Sequence, residues 1–284
     1  MRQTLLARLE RETAQMTPAL RKVADYILKN PVDTSFMTLD QLSLQTGVST
    51  ATVMRLSFQL GYSGYSEFQR DLQELLRDRV APTTRLEVSK KSLKHSSILT
   101  NCADNHINNL KSMMDFLTKD VIDECVELIA KARNIYIVGI RSSFAIAYYL
   151  HQTLNQVTGN CTLLEANSGN IVDEIINMTA ADLVIGITMP RYSRSTVEAL
   201  KIVKQFGPKI MVITDGYASP LAPLADVLLP CSVRSLAFHN SIAGPTFLID
   251  FLITSFVLAF PQQTKDRLDA AEPVLKQMNI LMDD

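Results

Sequence analysis

The chain has 284 residues, 47% of them hydrophobic and 20% charged, with a net charge of -1 at pH 7. At ~150 residues per domain that length suggests two domains, the apolar fraction excludes a disordered chain, and the balanced charge excludes capture of a polyanion by a broad basic field. Cys102, Cys125, Cys161 and Cys231 are scattered, with no C-x-x-C pair and no histidine at ligand spacing, so they read as reduced thiols and no metal or other cofactor is expected. Residues 1 to 20 are charged and amphipathic, unlike a signal peptide. The longest apolar run, Phe247 to Phe260, contains Asp250 and is shorter than the ~20 residues of a membrane span. It reads as a buried helix, and the expected chain is cytoplasmic with no membrane partner.

The first 77 residues carry helical signals and no strand. Thr17-Pro18 opens a helix that stops at Asn30-Pro31. Thr38 and Gln41 form a capping box, Gly47 ends the helix they open, and Ser49 caps a second helix closed by Gly61. A last helix is expected from about Ser66 to Arg79. Val53, Leu56 and Leu60 share one face and should pack inward with Leu42 and Val48, which turns Ala51, Thr52, Arg55 and Gln59 outward. A short helix, a tight turn and a second helix with small polar residues at its start suit insertion into a major groove, with Arg55 reaching a guanine edge or a phosphate. Residues 1 to 80 hold ten basic and nine acidic side chains. DNA binding would therefore rest on a few aimed groups: Ser49, Thr50, Thr52, Arg55, Gln59 and Tyr65 are the candidates.

Residues 78 to 95 lose periodicity and form the expected linker. Arg79, Arg85, Lys90, Lys91 and Lys94 there could touch phosphates or simply be a solvated charge run.

From residue 96 onward two helices run to about Lys131, and the pattern then changes. Apolar runs at 135 to 140, 161 to 165, 183 to 188, 209 to 214 and 226 to 230 alternate with amphipathic stretches of helix length. That predicts an α/β domain over 96–284, a doubly wound parallel five-stranded sheet covered on both faces. Ligands of such sheets bind beyond the carboxyl ends of the strands. The loops GIRSSFAIA (139 to 147) and TMPRYSRSTVEAL (188 to 200) each follow a strand, supply hydroxyls and an arginine, and open a helix. They predict an anion site built from Arg141, Ser142, Ser143, Thr188, Arg191 and Ser193. Alternatively, Ser143 and Ser193 only cap their helices while the arginines pair with Glu165, Asp173 or solvent.

Two resemblances sharpen these readings. GVSTATVMRLSFQLGYSGYSEF (47 to 68) resembles the G-x-S-x-x-T-V-x-R-F/L signature, with its L-G-F/Y-x-G-F/Y-x-E-F/L continuation, of RpiR-type transcriptional regulators. Phe58 departs from it, at a position expected to be basic, and instead could pack against a neighbouring helix. The stretch from about residue 120 to 260 is similar to the sugar isomerase (SIS) domain, which such regulators carry after their helix-turn-helix and which binds phosphosugars. Gly139, Ser143, Thr188 and Ser193 match its loops. Arg141 stands where a glycine is usual, and Pro190 and Arg191 replace a serine and a glycine. The arginines could restore anion binding through charge-assisted contacts, and they keep a carboxylate open as an alternative to a sugar phosphate.

In FHNSIAG (238 to 244), His239 and Ser241 are further ligand-binding candidates, with His239 either a general base, as in the isomerases of the family, or a capping or ligand-orienting group. The resemblance implies a non-enzymatic regulator of operator DNA, an inverted repeat, controlled by a small anionic metabolite. Self-association is expected too, because the apolar stretches from Ile98 to Leu117 and from Ile242 to Phe260 exceed what one small domain covers. A phosphosugar isomerase with an accessory helical domain, or an assembly module with a degenerate pocket, are the competing readings.

Overall fold

The computed structural model describes residues 5–13, 15–77, 82–83, 85–86, 97–114, 116–165 and 171–279. The chain divides into two compact units, Met1–Lys91 and Ser92–Asp284. Most of the basic stretch from 78 to 95, with Arg79, Lys90, Lys91 and Lys94, lies outside the described residues.

Among its described residues the first unit holds the helices α1 Leu5–Thr13, α2 Pro18–Lys29, α3 Pro31–Phe36, α4 Leu39–Thr46, α5 Thr50–Gln59 and α6 Tyr65–Arg77, and residues 82–83 and 85–86 are helical too. Thr17 stands at the N-cap of α2 with Pro18 at its first position, and Pro31 does the same for α3. Pro31 thus both ends α2 and starts a further short helix, because its fixed φ and missing N–H suit a first turn. The capping box is formed in full, with Gln41 N–H donating to Thr38 and Thr38 N–H to the Gln41 side chain. Gly47 then takes φ 62°, a left-handed turn that glycine alone adopts cheaply. Leu42, Val53, Leu56 and Leu60 are buried with Leu9, Ile27, Phe68 and Leu72, and Val48 packs against them. At about 1.5 to 3 kcal/mol for each fully buried side chain, that cluster holds the helices at fixed angles.

The second unit opens with α7 Ile98–Met114 and α8 Lys119–Lys131. Then β1 Ile135–Gly139, α9 Ser142–Thr158, β2 Cys161–Leu164, α10 Ile171–Ile176, β3 Leu183–Ile187 and α11 Arg194–Val203 alternate. β4 Lys209–Thr214, β5 Val227–Pro230, α12 Ala243–Ala259 and α13 Pro261–Gln277 complete it. All five apolar runs are strands. They pair in parallel in the order β2-β1-β3-β4-β5. The strand order reverses between β1 and β3, which pair from Ile135↔Leu183 to Gly139↔Ile187.

One sheet face packs on α8, α9 and α12 through Ile129, Ile146, Leu150, Leu248 and Leu252, and the other on α10 and α11 through Ile175, Leu200 and Val203. α12 is thus the core helix that its apolar run predicts, and no single helix among the described residues is long and apolar enough to cross a membrane. It breaks by 103° into α13, whose polar sequence had offered little signal and which packs along α9. All four cysteines are free thiols, and burial pushes Cys125 up to about 12.

The amino edge of the sheet is tied by Asp182, whose side chain is fully buried. It accepts from Arg133 Nε (2.9 Å) and Nη2 (2.7 Å), from Asn134 N (3.2 Å) and from Thr179 N (2.8 Å). Burial pushes this carboxyl up, but the hydrogen bonds from Arg133 and Thr179 outweigh it and hold it below the usual carboxylate range. A depressed carboxyl contributes stability that is present above its unfolded pKa of ~3.9 and is lost as the pH falls through the folded value. Asp182→Asn should therefore cost about 1 to 3 kcal/mol near pH 7, and the gap should narrow below about pH 4. Melting curves of both proteins from pH 7 to 3 check this; a gap that stays constant contradicts it.

Candidate functional site

The helix offered to DNA is α5. Ser49 caps it by accepting from Thr52 N (3.3 Å), and its hydroxyl meets that of Thr52 at 3.0 Å. With Val53, Leu56 and Ser57 buried, Ala51, Arg55, Phe58 and Gln59 form one exposed stripe, while Thr50 and Thr52 are half-buried at its start. Arg55 has no ion pair among the described residues, so its guanidinium is available for an outside acceptor. Phe58 is 51% exposed and does not pack away as the sequence reading allowed.

Tyr65 differs from expectation. It is 5% exposed, its hydroxyl donates to the Met37 carbonyl at 2.8 Å, and burial pushes its phenol up to about 12. The amphipathic face of α6 claims the ring, and the hydroxyl meets a carbonyl 28 residues upstream. Tyr65 therefore belongs to the core, not to the DNA-contacting set.

In the second unit the two loops leave the carboxyl ends of paired strands at the point where strand order reverses, the usual ligand crevice of an open parallel sheet. β1 reaches α9 by so close a turn that a Cβ on Gly139 would lie 2.6 Å from the Ser143 carbonyl oxygen. Arg141 sits at the N-cap of α9 with φ 57° and ψ -125°, and Arg191 has φ 66°. Both arginines thus keep the backbone of the glycines they replace, at a cost on the order of 1 to 3 kcal/mol each. Both side chains are exposed, and neither pairs with Glu165, Asp173 or any other described carboxylate.

The hydroxyls divide into two kinds. Ser193 does cap α11, accepting from Thr196 N at 3.3 Å, while its own N–H donates to Thr188 Oγ1 at 3.3 Å. Thr188 is 1% exposed, and its hydroxyl proton has no acceptor among the described residues. Ser142 is exposed at the first position of α9. Ser143 is not a cap: it is the second residue of α9, 4% exposed, and its hydroxyl has no partner among the described residues.

The β3 loop is held from two sides by residues the sequence did not single out. Tyr192 donates to Asp215 at 3.0 Å, and Asn240 Nδ2 donates to the Pro190 carbonyl at 3.1 Å. Asn240 brings the segment carrying His239 and Ser241 against the loop. Ser241 is buried, accepts from Ala243 N and meets His106 Nδ1 at 3.3 Å, so its hydroxyl serves the fold. His239 is exposed with its ring edge on Phe238, and no carboxylate or hydroxyl partners it among the described residues. On α7, Asn105 and Asn109 both donate to the Arg234 carbonyl (2.9 and 2.7 Å), and Asn109 accepts from Ser232 (2.8 Å), which fixes the same segment from the other end.

A helix-turn-helix unit followed by an open parallel sheet with a crevice at its carboxyl edge is the architecture of a DNA-binding regulator joined to a small-molecule domain. Comparison with known proteins gives the same division: residues 3–78 match the helix-turn-helix domain of the rpiR family and residues 128–255 match the SIS domain. The chain belongs to the RpiR family of transcriptional regulators. It is 26% identical over 227 residues to the regulator HexR of Pseudomonas aeruginosa, covering 79% of this chain and 78% of that one. An HTH-type transcriptional regulator of Haemophilus influenzae is 24% identical over 273 residues, covering 94% and 93%. Among solved structures, the NanR protein of Vibrio vulnificus complexed with ManNAc-6P superposes with a TM-score of 0.61 at 23% identity, covering 98% of this chain and all of that one. The sugar isomerase domain of an RpiR transcription factor from Sphaerobacter thermophilus gives 0.60 at 26%, over 62% of this chain and 99% of that one.

Arg55 and Tyr65 should separate cleanly on mutation. Arg55→Ala should leave the folding stability within about 0.5 kcal/mol of wild type and weaken DNA binding by about 1 to 3 kcal/mol if it reads a base. Tyr65→Phe should lose about 0.5 to 1.5 kcal/mol of stability and leave DNA affinity and its salt dependence unchanged. Thermal melts and fluorescence anisotropy against operator DNA test both; a DNA defect in Tyr65→Phe with normal stability would restore it to the interface.

Proposed function

We propose that a small anionic metabolite, a sugar phosphate, fills the crevice between the β1 and β3 loops and thereby changes the affinity of the helix-turn-helix unit for its operator. The observation that carries this reading is the crevice at the strand-order reversal, where Ser143 and Thr188, whose hydroxyl already accepts from Ser193 N, stand on the same two loops as Arg141 and Arg191, both exposed and without an ion pair among the described residues. The N-terminal N–H groups of α9 and α11 add dipoles of the sign an anion needs. The structural neighbour complexed with ManNAc-6P supports a phosphosugar as the ligand class. Catalysis is not part of the proposal: the relatives are transcriptional regulators, and among the described residues no carboxylate or hydroxyl partners His239.

Arg55 and Gln59 are the proposed base-reading groups, with Ser49, Thr50 and Thr52 near a phosphate. The protein acts as a homo-oligomer, at least a dimer, on an inverted repeat. Exposed Leu99, Ile107 and Met114 on α7, and Phe247, Phe251 and Leu258 on α12, are the apolar surface that supports self-association. Light scattering should give a dimer or larger species at micromolar concentration, and a monomer both free and on operator DNA would remove this part.

Thermal-shift titration with sugar phosphates tests the ligand reading. A ligand at 100 times its dissociation constant should add about 2.7 kcal/mol of stability. Ser193→Ala should weaken that ligand by about 0.5 to 1.5 kcal/mol, or by up to ~3 if the contact is charge-assisted, with ligand-free operator binding unchanged. Sugar phosphates that leave the melting temperature unmoved at millimolar concentration would overturn it.

A further inference from the structure

We infer that Phe58 is a specificity-determining residue of the reading helix, and that its ring covers the 5-methyl group of a thymine in the major groove beside the site of Arg55. The inference rests on the placement of α5 proposed above and adds to it a contact of different chemistry. Phe58 is 51% exposed, takes no part in the core cluster that holds α5, and meets no other ring among the described residues. Fold stability therefore does not account for a phenylalanine there. It lies three residues after Arg55 on the stripe that Ala51, Arg55 and Gln59 share, which on an α-helix is about 4.5 Å further along and about 60° round. A base-pair step is about 3.4 Å, so a groove that takes Arg55 also meets the ring at a neighbouring base pair.

The chemistry of that stripe narrows what the ring can touch. From Ser49 to Gln59 the only charged side chain is Arg55, so this helix offers the phosphates a single cation and is otherwise neutral on its outer face. A phenyl ring neither donates nor accepts a hydrogen bond and gives a phosphate nothing. Against most base edges it would bury donors and acceptors without partners, at a cost. The exception is the 5-methyl of thymine, the one apolar group that the four bases display in the major groove. Thymine is thus favoured twice: its methyl and the ring leave water together, and any other base at that point would have polar groups desolvated. An exposed ring also suits a second copy of the chain, but this one stands on the same stripe as Arg55, in a unit matched to a helix-turn-helix domain, which continues the DNA-facing surface.

The test uses the full chain and the duplexes it enriches from a randomised library. In the most enriched duplex each thymine is replaced in turn by deoxyuridine, which removes the methyl and keeps every hydrogen-bonding group, and binding is read by fluorescence anisotropy. At one thymine position, repeated in each half-site, uracil should weaken wild-type binding about three- to fivefold, the size expected for one buried carbon. F58A should bind the thymine duplex as weakly as wild type binds that uracil duplex, lose the thymine–uracil difference at that position alone, and melt at the wild-type temperature. F58K should lose the methyl preference while tightening binding to every duplex and steepening the salt dependence by about one counterion. R55A should relax selection at a base pair next to the methyl-sensitive one. Uracil tolerated by wild type at every position overturns the inference, as does a thymine–uracil difference that F58A retains. A retained difference together with a lower mass of F58A by light scattering assigns the ring to self-association instead. No enriched duplex, or R55A binding as wild type does, overturns the placement of α5 in the groove and this inference with it.

Discussion

The pairing of β1 with β3 is the constraint on which the sensing unit depends. These strands lie side by side in parallel from Ile135↔Leu183 to Gly139↔Ile187, yet their following helices cover opposite faces of the sheet. Two loops about 50 residues apart in sequence are thereby brought to one edge, and the crevice between them opens because the chain diverges there. Gly139 sets how closely β1 turns into α9, since any side chain at that point would meet the Ser143 carbonyl. Arg141, Ser143, Thr188, Arg191 and Ser193 owe their common location to this pairing and to nothing local in either loop.

Around that edge the fold separates groups that serve structure from groups left over. Asp182, at the opposite end of the strands, has its hydrogen bonds met by Arg133, Asn134 and Thr179, as an interior carboxylate must. Tyr192 and Asp215, and Asn240 with the Pro190 carbonyl, hold the β3 loop in place. The same 231–241 segment is gripped by Asn105, His106 and Asn109 of α7, the first helix of this unit after the linker stretch. Side-chain bonds from Asn240, His106, Asn105 and Asn109 thus tie the β3 loop and the 231–241 segment to α7.

Much of this was legible from the residues. The five strands stand out because buried parallel strands are short uninterrupted apolar runs, and the helix-turn-helix stands out because Thr38, Gln41, Gly47 and Ser49 are capping residues with one strong local preference each. Reading failed where the deciding partner lies far away in sequence. Tyr65 has the character of an interface tyrosine until the Met37 carbonyl is found under its hydroxyl. Asn105 and Asn109 answer to a carbonyl more than 120 residues later, and Ser241 is taken up by His106. Pro31 was a stop signal that also proved a start signal. The strained arginines are an intermediate case: their substitution for glycine was visible, but only the backbone angles show that the glycine conformation was kept.

The account's central claim is that the pocket and the reading helix are thermodynamically linked. Linkage is reciprocal, so a ligand that changes operator affinity by some factor must have its own affinity changed by the same factor when operator is bound. The most direct measurement is a closed cycle: operator dissociation constants with and without saturating ligand by fluorescence anisotropy, and ligand dissociation constants with and without saturating operator by calorimetry. The account predicts two equal factors of roughly 5 to 150, corresponding to about 1 to 3 kcal/mol of coupling. Factors of one on both legs, with ligand and operator each bound, would contradict it.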